Sequence, residues 1–287
     1  MELNELNELS PEEINLLTSI LKSIPKETLD KLLTPPSKAL GEGIGKTIDL
    51  LFYPVNYLHI HANAKLTSLH EKTSKKLEKV KEEDNYTEEK IGMAAKAIED
   101  AKYQLDSETL QEFFSELISN SLNKQKVSEI SPKFSSVLSN LTEEEALFLR
   151  KSKEYLATSG SPNIIITLDL NFINSVTTER YTHSKNYVLW SQQPFEYEYS
   201  DFVITSLVSA GIFTVETYKK EISLVGIEQD VPNIIDTIIH EEKYFNYQED
   251  FDTLNTYPDK NFDAISPYFG FIELTEFGKK FLDTVVV

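Results

Sequence analysis

The sequence predicts a mainly α protein with a smaller α+β part, in which a helical N-terminal domain is followed by a C-terminal domain of strands and helices. Three observations carry this expectation. Residues 110–153 contain three helices in succession, each with its own apolar stripe and start signal. After Leu156 the pattern changes: Gly160-Ser161-Pro162 interrupts the chain, and the β-branched run from Asn163 to Leu170 follows. The chain has 287 residues, 40% of them hydrophobic and none of them cysteine. That length suffices for two domains whose cores hold without disulfides or thiolate metal sites. The expected boundaries are a frayed N-terminus over 1–10, a helical domain over 11–157, a linker over 158–163 and an α+β domain over 164–287.

Residues 1–10 repeat Glu-Leu-Asn. Ser10, Pro11 and Glu13 then form a helix start, with an N-cap, a first-turn proline and a capping glutamate. Ile14, Leu17 and Leu21 follow on one face, and Ile24-Pro25 stops that helix. A short helix over 26–33 leads to Thr34-Pro35-Pro36-Ser37, a rigid joint.

Residues 38–58 carry a conflict of signals. Leu40, Ile44, Ile48, Leu51, Phe52 and Val55 share one helical stripe, yet Gly41, Gly43 and Gly45 would each weaken a helix by about 1 kcal/mol relative to alanine. One reading is a helix packed tightly against a neighbour in a soluble core. Another is a conditional membrane or oligomerisation segment with a small-xxx-small face. A phosphate loop is excluded, because only three residues separate Gly41 from Gly45 where such a loop needs about four, and no strand precedes it. The run is also too short and interrupted for a membrane span, which needs about 20 apolar residues.

Residues 65–81 continue as a polar helix in which Lys65, Lys72, Lys75, Lys76, Lys79 and Lys81 outnumber Glu71 and Glu78. This basic run is read as a solvated face, with contact to an anionic lipid surface as the sharper alternative. The partner- or membrane-contact candidates are therefore Leu40, Gly41, Ile44, Gly45, Ile48, Leu51, Phe52, Lys72, Lys75, Lys76 and Lys79. A charged break over 82–87 precedes a helix marked by Ile91, Ala94, Ala95, Ile98 and Lys102 that ends near Asp106.

Ser107 caps the first of the three central helices, whose stripe is Leu110, Phe113, Phe114, Leu117 and Ile118. Ser131-Pro132 starts the second, with Phe134, Val137, Leu138 and Leu141 as its apolar positions. Thr142 and Glu145 form a capping box for the third, with Glu143 and Glu144 in its first turn. Beyond the linker, residues 163–170 read as a strand, or a strand leading into a helix, and residues 180–190 as a strand or turn. Residues 196–210 read as a helix with Tyr199, Phe202, Val203, Leu207 and Val208 on one side, ended by Gly211. Residues 212–217 and 271–274 read as strands, and Thr275 caps a last helix with Phe277 and Phe281 inward. Helix, strand, strand, helix is a winged-helix-like skeleton, which makes residues 219–269 an insertion rich in aromatic and acidic side chains, with helical character at Ile234, Ile235, Ile238 and Ile239.

The net charge is −19. Arg150 and Arg180 are the only arginines, and residues 191–287 hold six lysines against 18 Asp or Glu. Such a balance disfavours a protein that grips phosphate backbones. The acidic, polar N-terminus is unlike a signal peptide, so a cytoplasmic location is expected, with peripheral contact at the inner membrane as the alternative. No specific catalytic signature is present. His59 and His61 point about 200° apart on a helix, so they cannot share a metal there, although on a strand they could. His240-Glu241-Glu242 lacks a second histidine, Gly160-Ser161-Pro162 is no nucleophile elbow, and His183 is read as isolated in a polar turn. No cofactor and no metal is expected.

The stretch Leu110 to Ser121 (L-x-E-F-F-x-x-L-I-S-x-S), Ser131 to Phe134 (S-P-x-F) and Leu138 to Leu149 (L-S-x-L-T-x-x-E-A-x-x-L) resembles the Abi-alpha family of bacterial abortive-infection proteins. Leu207, Gly211 and Ile212 (L-x-x-x-G-I), with Leu274, Thr275, Phe277, Gly278 and Phe281 (L-T-x-F-G-x-x-F), fit that family's C-terminal pattern. The resemblance implies phage defence, in which the infected cell dies or stops growing before the phage matures. It brings no catalytic signature. The favoured role is non-enzymatic, through a protein partner, a phage component, a second copy of the chain or the membrane surface. A nucleic-acid-directed regulator or nuclease is the alternative.

Overall fold

The computed structural model describes residues 63–158, 163–192, 195–217, 231–240, 245–257 and 260–287. The chain divides into two compact units, one comprising Met1–Leu147 with Lys280–Val287 and the other Phe148–Lys279. The helix expected from Ser10, the joint at 34–37, the glycine-rich stripe over 38–58, His59 and His61 all lie outside the described residues, as do residues 159–162 of the expected linker.

The first unit is helical. Helix α1 (Asn63–Glu82) buries Leu66, Leu69, Thr73, Leu77 and Val80, a seam at three- and four-residue spacing beneath the lysines. Helix α2 (Ile91–Ala101) buries Ala94, Ala95, Ala97, Ile98 and Ala101. It stops short of the expected end near Asp106, because residues 102–106 turn and Gln104 donates to the carbonyls of Ser139 and Leu141. Helix α3 (Glu108–Ser121) is capped by Ser107, whose Oγ accepts from the Leu110 amide at 2.9 Å. Its whole predicted stripe is buried, with Phe113 and Phe114 fully so. Helix α4 (Lys133–Leu138) follows Pro132. Helix α5 (Glu143–Thr158) opens on the predicted capping box: Glu145 Oε2 accepts from the Thr142 amide at 2.6 Å, and Thr142 Oγ1 accepts from the Glu145 amide at 3.2 Å.

The second unit is built on one sheet of five antiparallel strands: β1 (Ile164–Ile173), β2 (Arg180–Gln192), β3 (Phe195–Tyr199), β4 (Phe213–Thr217) and β5 (Ala264–Leu274), in the order β3-β2-β1-β5-β4. Helix α6 (Asp201–Ser209) precedes β4, helices α7 (Val231–His240) and α8 (Tyr247–Leu254) precede β5, and α9 (Glu276–Val285) follows β5, with its residues from Lys280 on belonging to the first unit. The helix expected over 196–210 is a correction. Its first residues are β3, because Phe-Glu-Tyr-Glu-Tyr alternates with period two and pairs with β2, and the helix begins only at Asp201. In that helix Val203, Ile204 and Leu207 are buried, while Phe202 is 73% exposed rather than inward. The strand expected over 271–274 starts at Ala264, so the last residues assigned to the insertion belong to the sheet. The predicted strand pair does form, since β4 pairs with β5 antiparallel, but β5 is also bonded along its other edge to β1. Gly211 ends α6 at φ +78°, the left-handed position that favours glycine.

One face of the sheet carries Leu168, Leu170, Phe172, Tyr187, Leu189 and Tyr197, and packs with Ile238 of α7 and Tyr247 of α8. On the opposite face, Trp190 of β2 meets Phe148 and Tyr155, which lie in the part of α5 that belongs to the second unit, edge-on at 5.2 and 5.8 Å.

Candidate functional site

Among the described residues, two of the places where polar side chains converge involve residues that the sequence singles out. The first lies along α1, where the lysine run was expected to be a solvated or lipid-facing strip. Lys72 reaches Glu108 and Glu112 of α3 at 3.6 and 3.8 Å, and Lys76 reaches Glu112 and Glu116, both at 2.6 Å. The two lysine side chains are only 23% and 20% exposed. Glu112 therefore sits between two cations, and this ladder ties α1 to α3 over one turn of helix. Lys75 and Lys79 point outward and are exposed. Of the sequence candidates, Lys72 and Lys76 are thus brought together on α3, whereas Lys75 and Lys79 are not. Leu40, Gly41, Ile44, Gly45, Ile48, Leu51 and Phe52 lie outside the described residues.

The second place is one that sequence reasoning missed. His183 is not in a polar turn. It lies within β2, with 9% of its side chain exposed, among the rings of Phe172, Phe245 and Tyr247 at 4.9, 5.1 and 4.7 Å. The register explains how it comes to point there. Asn171 pairs with Thr182 and Leu170 with Ser184, so His183 is an extra residue in β2, and a second irregularity around Asp169 adds another. Such bulges re-aim side chains. Here His183 and Ser184, adjacent in sequence, both reach the face covered by α8. The Nε2 of His183 lies 2.9 Å from Asp250 Oδ2 of α8, and its Nδ1 is buried without a partner.

Beside that pair runs a chain of hydroxyls. Ser184 Oγ lies 2.9 Å from the Tyr247 hydroxyl, which in turn bonds the Tyr187 hydroxyl. Burial pushes both phenols above the ordinary tyrosine value. Both therefore stay protonated across the physiological range and do not act as bases, and within each linked pair either hydroxyl can donate to the other. The arrangement is suited to clamping α8 onto the sheet through one His–Asp contact and three linked hydroxyls. The signal that could have found it is the run from Arg180 to Tyr187, where strand-forming aromatics alternate imperfectly, as a bulged strand requires.

Among the described residues no group of three or more His, Asp or Glu is placed to hold a metal ion, and no helix is long and apolar enough to cross a membrane. His240 is exposed on α7, with Nδ1 on the Asp236 carbonyl one turn back.

The parts of the C-terminal motif, separated by more than sixty residues in the chain, meet in space. Thr275 Oγ1 donates to the Gly211 carbonyl at 2.6 Å, the Thr275 amide donates to Ile212, and the Gly278 amide donates back to Thr275 Oγ1 at 2.8 Å. Neither a curated protein nor a solved structure matches the chain. The family model described as abortive infection alpha matches residues 62–285. That span takes in both motif regions and most of the chain, which belongs to the abortive infection alpha family.

Proposed function

We propose that the protein acts in phage defence by abortive infection, as a non-enzymatic effector or sensor that works through contacts with another protein. The observation that carries the defence reading is the family match over residues 62–285. What favours a protein partner over a lipid surface is the ladder on α1, where Lys72 and Lys76 are already matched by glutamates of α3. A lipid headgroup would have to displace those carboxylates, and each lysine near an anionic surface supplies only about 1 kcal/mol. The run α6, β4, β5 and α9 is read as a winged-helix-like docking module and not as a reader of duplex DNA. Its first helix carries Asp201 and no basic residue, whereas base readout uses Arg, Lys, Asn or Gln.

The test is phage plating on cells with and without the gene, across a broad phage panel, with host survival followed after infection. Defence predicts fewer plaques together with early death or arrest of infected cells. Unchanged plaque counts remove this reading. Salt-sensitive binding of DNA or RNA at micromolar protein would replace the protein-contact mechanism with a nucleic-acid-directed one.

A further inference from the structure

The face of the sheet that carries Trp190 does not stay apolar along its length. Its far half is polar. Asn171 and Ser266 face each other across β1 and β5, Asp169 faces Tyr268, and Thr182 of β2 donates to Asn171 Oδ1 at 2.7 Å. Arg180 pairs in register with Ile173, and its guanidinium lies over the Tyr268 ring at 4.5 Å. By register, Arg180 and Tyr268 flank the Asn171–Ser266 pair on either side and meet above it. Asn171 and Ser266 are accordingly buried, while Asp169, Thr182 and Tyr268 are half-buried and Arg180 and Lys185 are exposed.

Three features set this row apart from ordinary polar packing. The Ser266 hydroxyl is buried without a hydrogen-bond partner, and so is that of Ser200, whose amide donates to the Asn186 carbonyl next to Asp169. Buried hydroxyls in native folds are nearly always paired. The β2 irregularity at Asp169 holds Asn186 at φ 56°, where its amide donates to Asp169 Oδ1 at 2.9 Å and its side chain to Asp201 at 2.6 Å. Finally, burial raises the Asp169 carboxyl above the usual carboxylate range, against the opposing pull of the Asn186 amide, Lys185 and Arg180. A carboxyl held by burial in this way beside an unpartnered hydroxyl costs stability, a cost that binding sites commonly carry.

We propose that this polar half-face is a nucleotide site, in which Tyr268 stacks on the base, Arg180 with Lys185 takes the phosphate, and Asp169 receives the ribose hydroxyls, with the buried Ser266 hydroxyl reached only once Arg180 has left the Tyr268 ring. Each part of such a ligand meets its chemical match. An aromatic face stacks on any base, a guanidinium forks onto phosphate oxygens, and a carboxylate accepts from sugar hydroxyls. In the unliganded site Arg180 rests on Tyr268, a cation–π contact that a base can replace. The site goes beyond the defence reading, and its test reads binding instead of plaques, so either can fail alone.

The experiment is calorimetric titration of the full chain with the four ribonucleosides, their 5′-monophosphates and inorganic phosphate. At least one monophosphate should bind saturably, and more tightly than both its nucleoside and phosphate alone. Arg180→Gln and Asp169→Asn should each weaken it by about tenfold or more, the loss of a hydrogen bond to a charged group. Asp169→Asn should also raise the Tm of the unliganded protein, which separates lost binding from lost fold. No saturation at millimolar ligand, or equal affinity in both variants, would mean that the row holds structural water only and would overturn the proposal.

Discussion

A Cβ placed on Gly278 would stand 2.1 Å from the carbonyl oxygen of Ile212. No side chain is tolerated at that distance from a backbone atom, so the glycine in the motif L-T-x-F-G-x-x-F is required by the close approach of α9 to the segment after α6. Gly278→Ala should destabilise the protein by at least about 2 kcal/mol through overpacking. It should do so even though alanine is the better helix former, a sign opposite to that expected at an open helical position. Gly92, with nothing within 4 Å of its Cβ position, is the control: Gly92→Ala should be neutral or stabilising. Chemical denaturation of the two variants checks both signs.

Asn120 donates to the carbonyl of Thr284 at 2.9 Å and to Glu116 at 3.1 Å, and Thr284 is 1% exposed. The bond joins the end of α3 to the C-terminal helix within the first unit, where Phe281 also meets Phe134 edge-on at 5.4 Å. Asn120→Ala leaves a buried carbonyl without that partner and should cost about 1–3 kcal/mol. Asn120→Asp should be worse near neutral pH, because a carboxylate accepts where a donor is needed. Hydrogen exchange at α9 amides should rise in both variants. If the exchange rates of α9 match those of the unaltered protein, the amide is not what fastens the helix.

The two buried phenols predict a sharp alkaline limit. In the folded protein Tyr187 and Tyr247 hold their protons above the ordinary value of 10.0, first because burial disfavours the phenolate. Between the unfolded and folded pKa values the native state therefore binds more protons, so stability is fully present below about pH 10 and falls as pH rises above it. Each group contributes a slope of about 1.4 kcal/mol per pH unit in that window. Tyr187→Phe with Tyr247→Phe should lower stability at pH 7 by removing the hydroxyl chain, yet flatten its decline above pH 10. Urea midpoints measured at intervals from pH 8 to 11 read the slope directly. An unchanged slope in the double variant would show that other groups govern alkaline unfolding.

The helical elements were legible because their signals are local. Ser107, Thr142 and Glu145 satisfy amides within one turn of themselves, and the stripe from Leu110 to Ile118 needs only helical spacing to be recognised. The strands were legible as elements but not in extent. Glu196 and Glu198 lie in a segment whose length and flanking apolar residues suit a helix, and only pairing with β2 decides for a strand. His183 was misread for the same reason. Its burial follows from a bulge, and a bulge is a relation between two strands that neither strand's own pattern states. Lys72 and Lys76 read as solvated in the sequence because their partners on α3 lie some forty residues on in the chain, whereas Lys75 and Lys79 are exposed as that reading has them.

The ladder on α1 leads to a final prediction about where any contact with an anionic surface would draw its energy. Lys75 and Lys79 are the exposed lysines of the four candidates on α1, and at about 1 kcal/mol each they supply only about a thirtyfold preference for an anionic surface. Burying one isoleucine side chain contributes about 1.5–3 kcal/mol, so Ile44 and Ile48 together outweigh both lysines. Full-length protein should therefore show no sedimentation with phosphatidylglycerol vesicles that depends on Lys75 and Lys79 alone. If sedimentation occurs, Ile44→Asn with Ile48→Asn should abolish it, whereas Lys75→Glu with Lys79→Glu should leave a measurable remainder. Lys76→Ala should act on the fold instead: it breaks contacts with Glu112 and Glu116, should cost about 1 kcal/mol, and should couple to Glu112→Ala in a double-mutant cycle that weakens with salt. Salt-sensitive vesicle binding that is lost on changing Lys75 and Lys79 but survives the isoleucine changes would reverse this order and make the lysine helix the membrane-facing element.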